Sequence, residues 1–184
     1  MNRRLVQALM IAAMAGGSAA PCLAQSMEPP STIVEGPGLS ATDRAFARGA
    51  SQDGQYAIGL AMLAQEKTLN DQVKSVAEAI QQDQQPAAVK LKAIAESKQL
   101  PLPEVEVLAA ANYRASIARL EGKPFDRAVV QSIIDLQRRI VQAYEQYGVN
   151  GRDRDFMQYA RDRLPALRKY LTRAEDVRAA IGHP

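Results

Sequence analysis

The sequence predicts an all-α fold, a bundle of four long helices with one additional short connecting helix. From Ser40 onward, apolar residues recur at intervals of three and four, and Gly and Pro fall mostly at the boundaries of these stretches. No stretch alternates with a period of two residues, so the sequence offers no strand for a sheet. Long amphipathic helices with short connections bury their apolar stripes against one another as a bundle.

The first two long helices have recognisable start signals. Ser40 followed by Asp43 resembles a capping box, and the apolar stripe behind it continues to about Lys67. Asn70 can cap the second helix through its side chain. Pro86 lies inside the second stripe and lacks the N–H that a helix interior needs, so we expect a bend there.

The remaining helices are bounded by glycine and proline. A weaker helix is expected over about residues 104–120, and Gly122 ends it. The fourth helix begins near Pro124, where proline suits a first turn. Gly148, Asn150 and Gly151 close it and are expected to supply the left-handed conformations that a helix end favours. The last helix is expected over about residues 153–181.

The first 24 residues have the three-part order of a secretory signal peptide, with a basic start, an apolar run and small residues. We expect cleavage between Ala24 and Gln25, which gives a periplasmic or secreted protein. No later uncharged stretch is long enough to cross a membrane. A lipid anchor on Cys22 is the alternative, although the proline before it occupies a position where such signals normally carry Gly, Ala or Ser.

Domain organisation follows from this cleavage. Residues 1–24 form the signal peptide, residues 25–39 form a flexible linker rich in Pro and Gly, and residues 40–184 form the helical domain. Removing the two signal-peptide arginines from the 23 basic residues leaves 21 against 20 acidic ones. A nearly neutral chain has no electrostatic footprint for nucleic acid.

The residue types present exclude several kinds of chemistry. The single His is His183, next to the C-terminus, and the single Cys lies in the signal peptide, so His- or Cys-based catalysis and metal ligation are close to excluded. No phosphate-binding loop, dinucleotide motif or nucleophile elbow occurs. We therefore expect no cofactor, and the sequence favours a non-enzymatic role.

Polar residues interrupt the predicted buried faces, one on each long helix: Asp53, Gln84, Gln137 and Tyr170. A buried polar group without a partner costs about 1–3 kcal/mol, so these groups should find one another or water. They either fix the register of the helices, lie at the edge of a stripe, or form a small polar pocket in the bundle core.

Five short signals follow one another along residues 43–177: Asp43-Arg-Ala-Phe46, Leu63-Ala64, Val73-Lys74 before Asp83, Gly122-Lys-Pro-Phe125-Asp126 and Leu164-Pro165-Ala-Leu167. Their order and spacing resemble those of an exported bacterial ferritin-like family, the domain of unknown function DUF4142. This resemblance implies a ferritin-like four-helix bundle in the periplasm. It also implies an interior that carries Glu and His residues suited to metal binding.

The sequence departs from that family pattern at the ligand positions. By the resemblance, Ala57 stands where the family usually has Glu, while Gln84, Gln137 and Tyr170 stand where it usually has His. Gln and Tyr replace imidazole poorly with transition metals, and Ala offers no donor. We predict that these four positions lie together as a former metal centre refilled by uncharged side chains, in which the two amides and the phenol satisfy one another.

The leading interpretation is an exported, non-enzymatic, metal-free ferritin-like bundle that binds a small ligand, a protein partner or the envelope. The alternative is a metal-binding oxidoreductase or metal-storage protein that uses carboxylates alone, such as Asp53, Asp83 and Asp135. Oxygen ligands of this kind favour Mg, Ca or Mn. A third interpretation, a lipid-anchored envelope protein, depends on Cys22. The sequence singles out no partner.

Overall fold

The computed structural model describes residues 38–104 and 107–182, which form five α-helices and no strand. The helices are α1 (Ala41–Lys67), α2 (Asp71–Ser97), α3 (Leu108–Ile117), α4 (Gly122–Asn150) and α5 (Arg154–Gly182). The prediction of four long helices and one short one is confirmed. The predicted signal peptide, its cleavage site and most of the linker lie outside the described residues.

Both predicted start signals form as expected. The Ser40 hydroxyl accepts a hydrogen bond from the Asp43 N–H at 3.1 Å, and the Asp43 carboxylate accepts one from the Ser40 N–H at 3.1 Å. The Asn70 side chain accepts from the N–H groups of Gln72 and Val73 at 2.9 and 3.2 Å. Each bond satisfies a donor that the first turn of a helix leaves unpaired.

The end of α2 is formed by a residue that the sequence did not single out. Gln99 adopts a left-handed conformation with φ of 54°. The Leu100 N–H then donates to the Ala95 carbonyl at 2.9 Å, which is the long bond of a Schellman motif. α2 runs through Pro86 without a break in its assignment, and the bend expected there stays a prediction.

The glycines at the ends of α4 play different roles from those predicted. Gly122 has φ of 55° but is the first residue of α4 and does not end α3. Gly148 and Asn150 lie within α4 and Gly151 has φ of −62°, so the predicted left-handed end is wrong. A Cβ at Gly151 would lie 2.7 Å from Tyr147 Cζ and 2.8 Å from the Tyr147 carbonyl oxygen. Glycine is therefore needed here because there is no room for a side chain.

The short helix is shorter than predicted. α3 covers Leu108–Ile117 instead of residues 104–120, and its N-cap residue Val107 provides no side-chain hydrogen bond. Only Ile117 of this helix is buried, so little packing energy is available to extend it.

The four long helices pack into one bundle. α4 packs chiefly against α5 and α1 chiefly against α2, while contacts of α1 with α4 and of α2 with α5 close the bundle. α3 packs against α1 and α4 and contributes the buried Ile117 to the core. None of the helices in residues 38–104 and 107–182 combines the length and hydropathy that a membrane span requires.

Asp43 joins the start of α1 to the turn between α4 and α5. Besides the capping bonds, its carboxylate accepts from the Tyr147 hydroxyl at 2.6 Å and from the N–H groups of Arg152 and Asp153 at 3.1 and 3.2 Å. The ring of Phe46, one turn further along α1, stacks on Tyr147 with centroids 3.8 Å apart. We call Asp43 and these hydrogen-bonding partners the Asp43 cluster.

Candidate functional site

All four positions that correspond to family metal ligands are buried inside the bundle. Ala57 lies on α1, Gln84 on α2, Gln137 on α4 and Tyr170 on α5, and none is more than 9% exposed. The periodic stripes therefore identified interior positions on four different helices. The mutual contact of the four side chains stays a prediction.

Asp53 does not belong to this buried set. Its carboxylate accepts a hydrogen bond from Arg139 Nη2 at 2.6 Å, and its side chain is 22% exposed. Both residues line a pocket of about 390 Å³ between α1, α3 and α4. A carboxylate loses less hydration here than it would in the core. Of the alternatives given for the polar stripe residues, Asp53 therefore fits the edge of a stripe and not a pocket in the core.

Gln137 is the most enclosed polar side chain of the site. It is fully buried, and neither its Nε2 nor its Oε1 has a hydrogen-bond partner among the described residues. The expectation that Gln84, Gln137 and Tyr170 satisfy one another is therefore wrong for Gln137. The residues one turn away on α4, Ile133, Ile134, Ile140 and Val141, are buried and apolar, so its own helix offers no side-chain partner.

An ion pair lies in the same part of the bundle. Arg163 on α5 donates from Nη1 and Nη2 to the two carboxylate oxygens of Asp83 on α2, at 2.8 and 2.5 Å. The side chains are only 11% and 24% exposed. Sequence reasoning missed Arg163, although it stands seven residues, or two helical turns, before Tyr170 and so shares its face of α5.

Three buried phenols, those of Tyr144, Tyr159 and Tyr170, lie close enough to this ion pair to interact with it electrostatically. The rings of Tyr144 and Tyr159 lie 6.0 Å apart, and the Tyr159 hydroxyl donates to the Ala87 carbonyl at 3.3 Å. Burial raises the pKa of Tyr144 well above its ordinary value. Burial also raises the pKa of Tyr159 and of Tyr170, although Arg163 acts in the opposite direction on both. These phenols therefore stay protonated at neutral pH and act as neutral hydrogen-bonding groups.

The residues at this position do not fit a transition metal. Ala57 has no donor atom, the two Gln residues offer only amides, and the phenol of Tyr170 keeps its proton. The Arg163 guanidinium adds a fixed positive charge beside Asp83. Among residues 38–104 and 107–182, no three His, Cys, Asp or Glu side chains are grouped as metal ligands would be.

The carboxylates named in the alternative interpretation each have their own partner. Asp53 pairs with an arginine of α4, and Asp83 pairs with an arginine of α5. Asp135 is exposed and accepts from Gln131 Nε2 at 2.9 Å, one turn away on α4. The three side chains are thus used in separate local contacts, which disfavours a shared cation.

A second pocket, of about 460 Å³, lies between α1, α2 and residues 101–104, which follow α2. Gln84 and Tyr159 form part of its wall, so it reaches the buried polar residues of the bundle. The Ser51 hydroxyl and Gln55 Nε2 both donate to the Pro103 carbonyl, at 3.0 and 2.6 Å. We call this space the connector pocket.

The described residues define an all-α helical-bundle protein whose mainly apolar core holds a few buried polar side chains. The chain belongs to the DUF4142 family, described as "Domain of unknown function (DUF4142)", which it matches over residues 28–177. The family resemblance seen in the sequence is therefore confirmed. No protein of curated function matches the chain.

Two solved structures share the fold. A crystal structure of a DUF305 fragment from Deinococcus radiodurans has a TM-score of 0.69 at 18% identity, covering 78% of this chain and 99% of that one. A DUF305 protein from Streptomyces coelicolor, described as secreted, has a TM-score of 0.65 at 18% identity, covering 78% and 94%. Likeness at this identity concerns the fold alone, and it confirms the all-α helical bundle, with which a ferritin-like arrangement is consistent.

Proposed function

We propose that this protein is an exported, non-enzymatic DUF4142 bundle in which fixed side chains replace the metal centre and whose role is to bind a ligand or partner. The observation that carries the proposal is the ion pair between Arg163 and Asp83, which lies in the bundle next to Gln84. Asp83 immediately precedes a position where the family usually has a metal ligand. The guanidinium supplies the positive charge that a metal ion would otherwise bring to this carboxylate.

Electrostatics and donor chemistry both support this proposal. An arginine stays protonated at every physiological pH, so its charge is permanent. A divalent cation placed near it would be repelled, and more strongly inside a protein than in water. The amides of Gln84 and Gln137 and the protonated phenol of Tyr170 would not compensate for that repulsion.

Metal content tests the proposal directly. We expect protein purified from the periplasm to contain far less than one equivalent of iron, manganese or zinc by elemental analysis. Its melting temperature should not fall in a chelator, because a structural metal would contribute to folding free energy. Stoichiometric, tightly bound metal would contradict the proposal and favour the carboxylate-only alternative.

A designed variant tests the refilled centre. Ala57→Glu, Gln84→His, Gln137→His and Tyr170→His combined should create affinity for a divalent transition metal that the native protein lacks. Adding Arg163→Met should strengthen that binding, because it removes the permanent charge. A folded fourfold variant that binds no metal, with or without the change at Arg163, would contradict the adjacency of the four positions.

Export is supported by the signal-like composition of the first 24 residues and by the secreted description of the similar Streptomyces coelicolor protein. We expect the mature protein to begin at Gln25, which the intact mass of the protein isolated from its native host would establish. A diacylglycerol-modified Cys22 at the N-terminus would instead support the lipid-anchored interpretation. Retention of the whole first segment would contradict cleavage after Ala24.

A further inference from the structure

We infer that the connector pocket binds a small neutral molecule with an apolar body and an amide-like polar head. The inference rests on the proposed binding function and names its site and ligand class. The pocket of about 460 Å³ falls within the range of pockets that hold small molecules. It opens between two helices and a short connection, and its wall includes the buried amide of Gln84.

The wall of the pocket suits an apolar body with one polar contact. Its apolar part includes Ala50, Ala88, Leu91, Leu100 and Leu102. The Gln84 amide offers both a donor and an acceptor, which an amide head can pair with reciprocally. Gly54 leaves room beside this amide, because a Cβ there would meet only Gln84 Oε1, at 3.7 Å.

Charge at the pocket favours a neutral ligand. The charged lining residues are Lys92, Glu96 and Glu104, and all three are exposed. The Lys92 ammonium already lies 3.5 Å from Glu104 and 4.0 Å from Glu96, so this rim carries one excess negative charge. An anion would be repelled at the rim, and a cationic head would lose its hydration inside without a buried carboxylate among the lining residues to replace it.

The connection that covers the pocket is held in place by hydrogen bonds. Ser51 and Gln55, one turn apart on α1, both donate to the Pro103 carbonyl. Because two donors of α1 converge on the Pro103 carbonyl, the protein's own contacts hold this connection against α1. A preformed pocket binds with less entropic cost than one that must be ordered on binding.

Three isosteric compounds test the ligand class on the purified native protein. We expect benzamide, which is neutral, to bind with a dissociation constant on the order of millimolar, as suits a fragment of its size. Benzoate and benzamidine attach a carboxylate and an amidinium group, respectively, to the same phenyl ring. Each should bind at least tenfold more weakly than benzamide. Chemical shift changes in the ¹⁵N-labelled protein during titration give the dissociation constants and should concentrate around Gln84.

A pair of matched variants tests the location. Gly54→Leu should fill the pocket and weaken benzamide binding at least tenfold. Gly49→Leu is the control, because it lies on the same helix and an added Cβ there meets nothing within 4 Å. It should leave binding unchanged. Circular dichroism and the melting temperature verify that both variants are folded.

Four results would overturn the inference: no benzamide binding to the native protein, benzamide binding undiminished in a folded Gly54→Leu variant, equal binding of benzoate, or equal binding of benzamidine. None of them alters the metal content of the same preparation. Failure of this inference is therefore distinguishable from failure of the proposed metal-free function.

Discussion

Arg163 and Asp83 join α5 to α2 through two parallel hydrogen bonds, 2.8 Å from Nη1 to Oδ1 and 2.5 Å from Nη2 to Oδ2. The planar guanidinium matches the carboxylate, and this bidentate geometry is the strongest form of a protein ion pair. Two helices that mainly bury apolar stripes are thus also connected by a partly buried charge pair.

The first prediction concerns this ion pair. Arg163→Met should lower the free energy of unfolding by about 2–3 kcal/mol, because it leaves Asp83 largely buried without its cation. The loss stays below that of a fully buried pair because 24% of the Asp83 side chain is exposed. Asp83→Asn in the Arg163→Met background should recover part of the lost stability.

Urea unfolding of Arg163→Met, Asp83→Asn and the double variant measures the coupling energy between the two residues. Strictly additive effects of the two substitutions would contradict the prediction.

The second prediction concerns Gln137. Gln137→Leu should raise the free energy of unfolding by about 1–2 kcal/mol, because it removes an amide that is buried without hydrogen bonds. Gln84→Leu serves as the comparison, since Gln84 lines the connector pocket and should change stability by less than about 1 kcal/mol. Urea unfolding gives both values. A clear loss of stability in Gln137→Leu would mean that the amide holds a water molecule or ligand in the native protein.

The third prediction concerns acid stability. Burial alone would raise the pKa of Asp43, but hydrogen bonds from Tyr147, Ser40 and the N–H groups of Arg152 and Asp153 lower it well below its ordinary value of 3.8. Asp43 therefore stabilises the fold above the unfolded-state pKa, and this contribution is lost as the pH falls below about 4 towards the folded-state pKa.

Unfolding by urea at a series of pH values tests this linkage. Asp43→Asn should be less stable than the native protein at pH 7, and the difference should shrink steadily between about pH 5 and pH 2. Tyr147→Phe removes one of the bonds that lower the Asp43 pKa, so it should reduce the same pH dependence in part. A difference between Asp43→Asn and the native protein that does not change with pH would contradict the assignment.

The fourth prediction concerns the end of α4. Gly151→Ala should lower the free energy of unfolding by about 2–3 kcal/mol, because its Cβ would lie within 3 Å of the ring and carbonyl of Tyr147 and of the side chain of Met157. Gly49→Ala, in open space inside α1, should be neutral or stabilising by up to about 1 kcal/mol. Thermal unfolding of the two variants gives the comparison, and equal effects would show that the steric argument fails.

The helices were predictable because their information is local. The capping residues Ser40 and Asn70 act within three residues of their positions, and apolar periodicity repeats along each helix. The turn after α2 was not predictable, because Gln99 is a residue type that seldom adopts a left-handed conformation. The role of Gly151 was predicted wrongly because glycine is required there by the closeness of Tyr147, which leaves no room for a Cβ, and not by a left-handed backbone conformation.

The site was predictable only in part. Spacing identified Gln84, Gln137 and Tyr170 as buried positions, since burial follows from the face of the helix on which a residue stands. It could not identify Arg163 as the partner of Asp83, because they are 80 residues apart and belong to different helices. Which charged residues pair between two helices depends on how the helices are aligned along each other when they pack. A single sequence does not show that alignment.

The Asp43 cluster has a consequence for the order of events during protein synthesis. Asp43 leaves the ribosome 104 residues before Tyr147 and 110 residues before Asp153. At ordinary rates of translation this interval is about 5–20 s. Throughout that time α1 can form only its own capping bonds, because the distant donors that hold its first turn in place have not yet been made. Whether the chain folds during synthesis or after export, the first helix can therefore be anchored only once the chain as far as Asp153 is available.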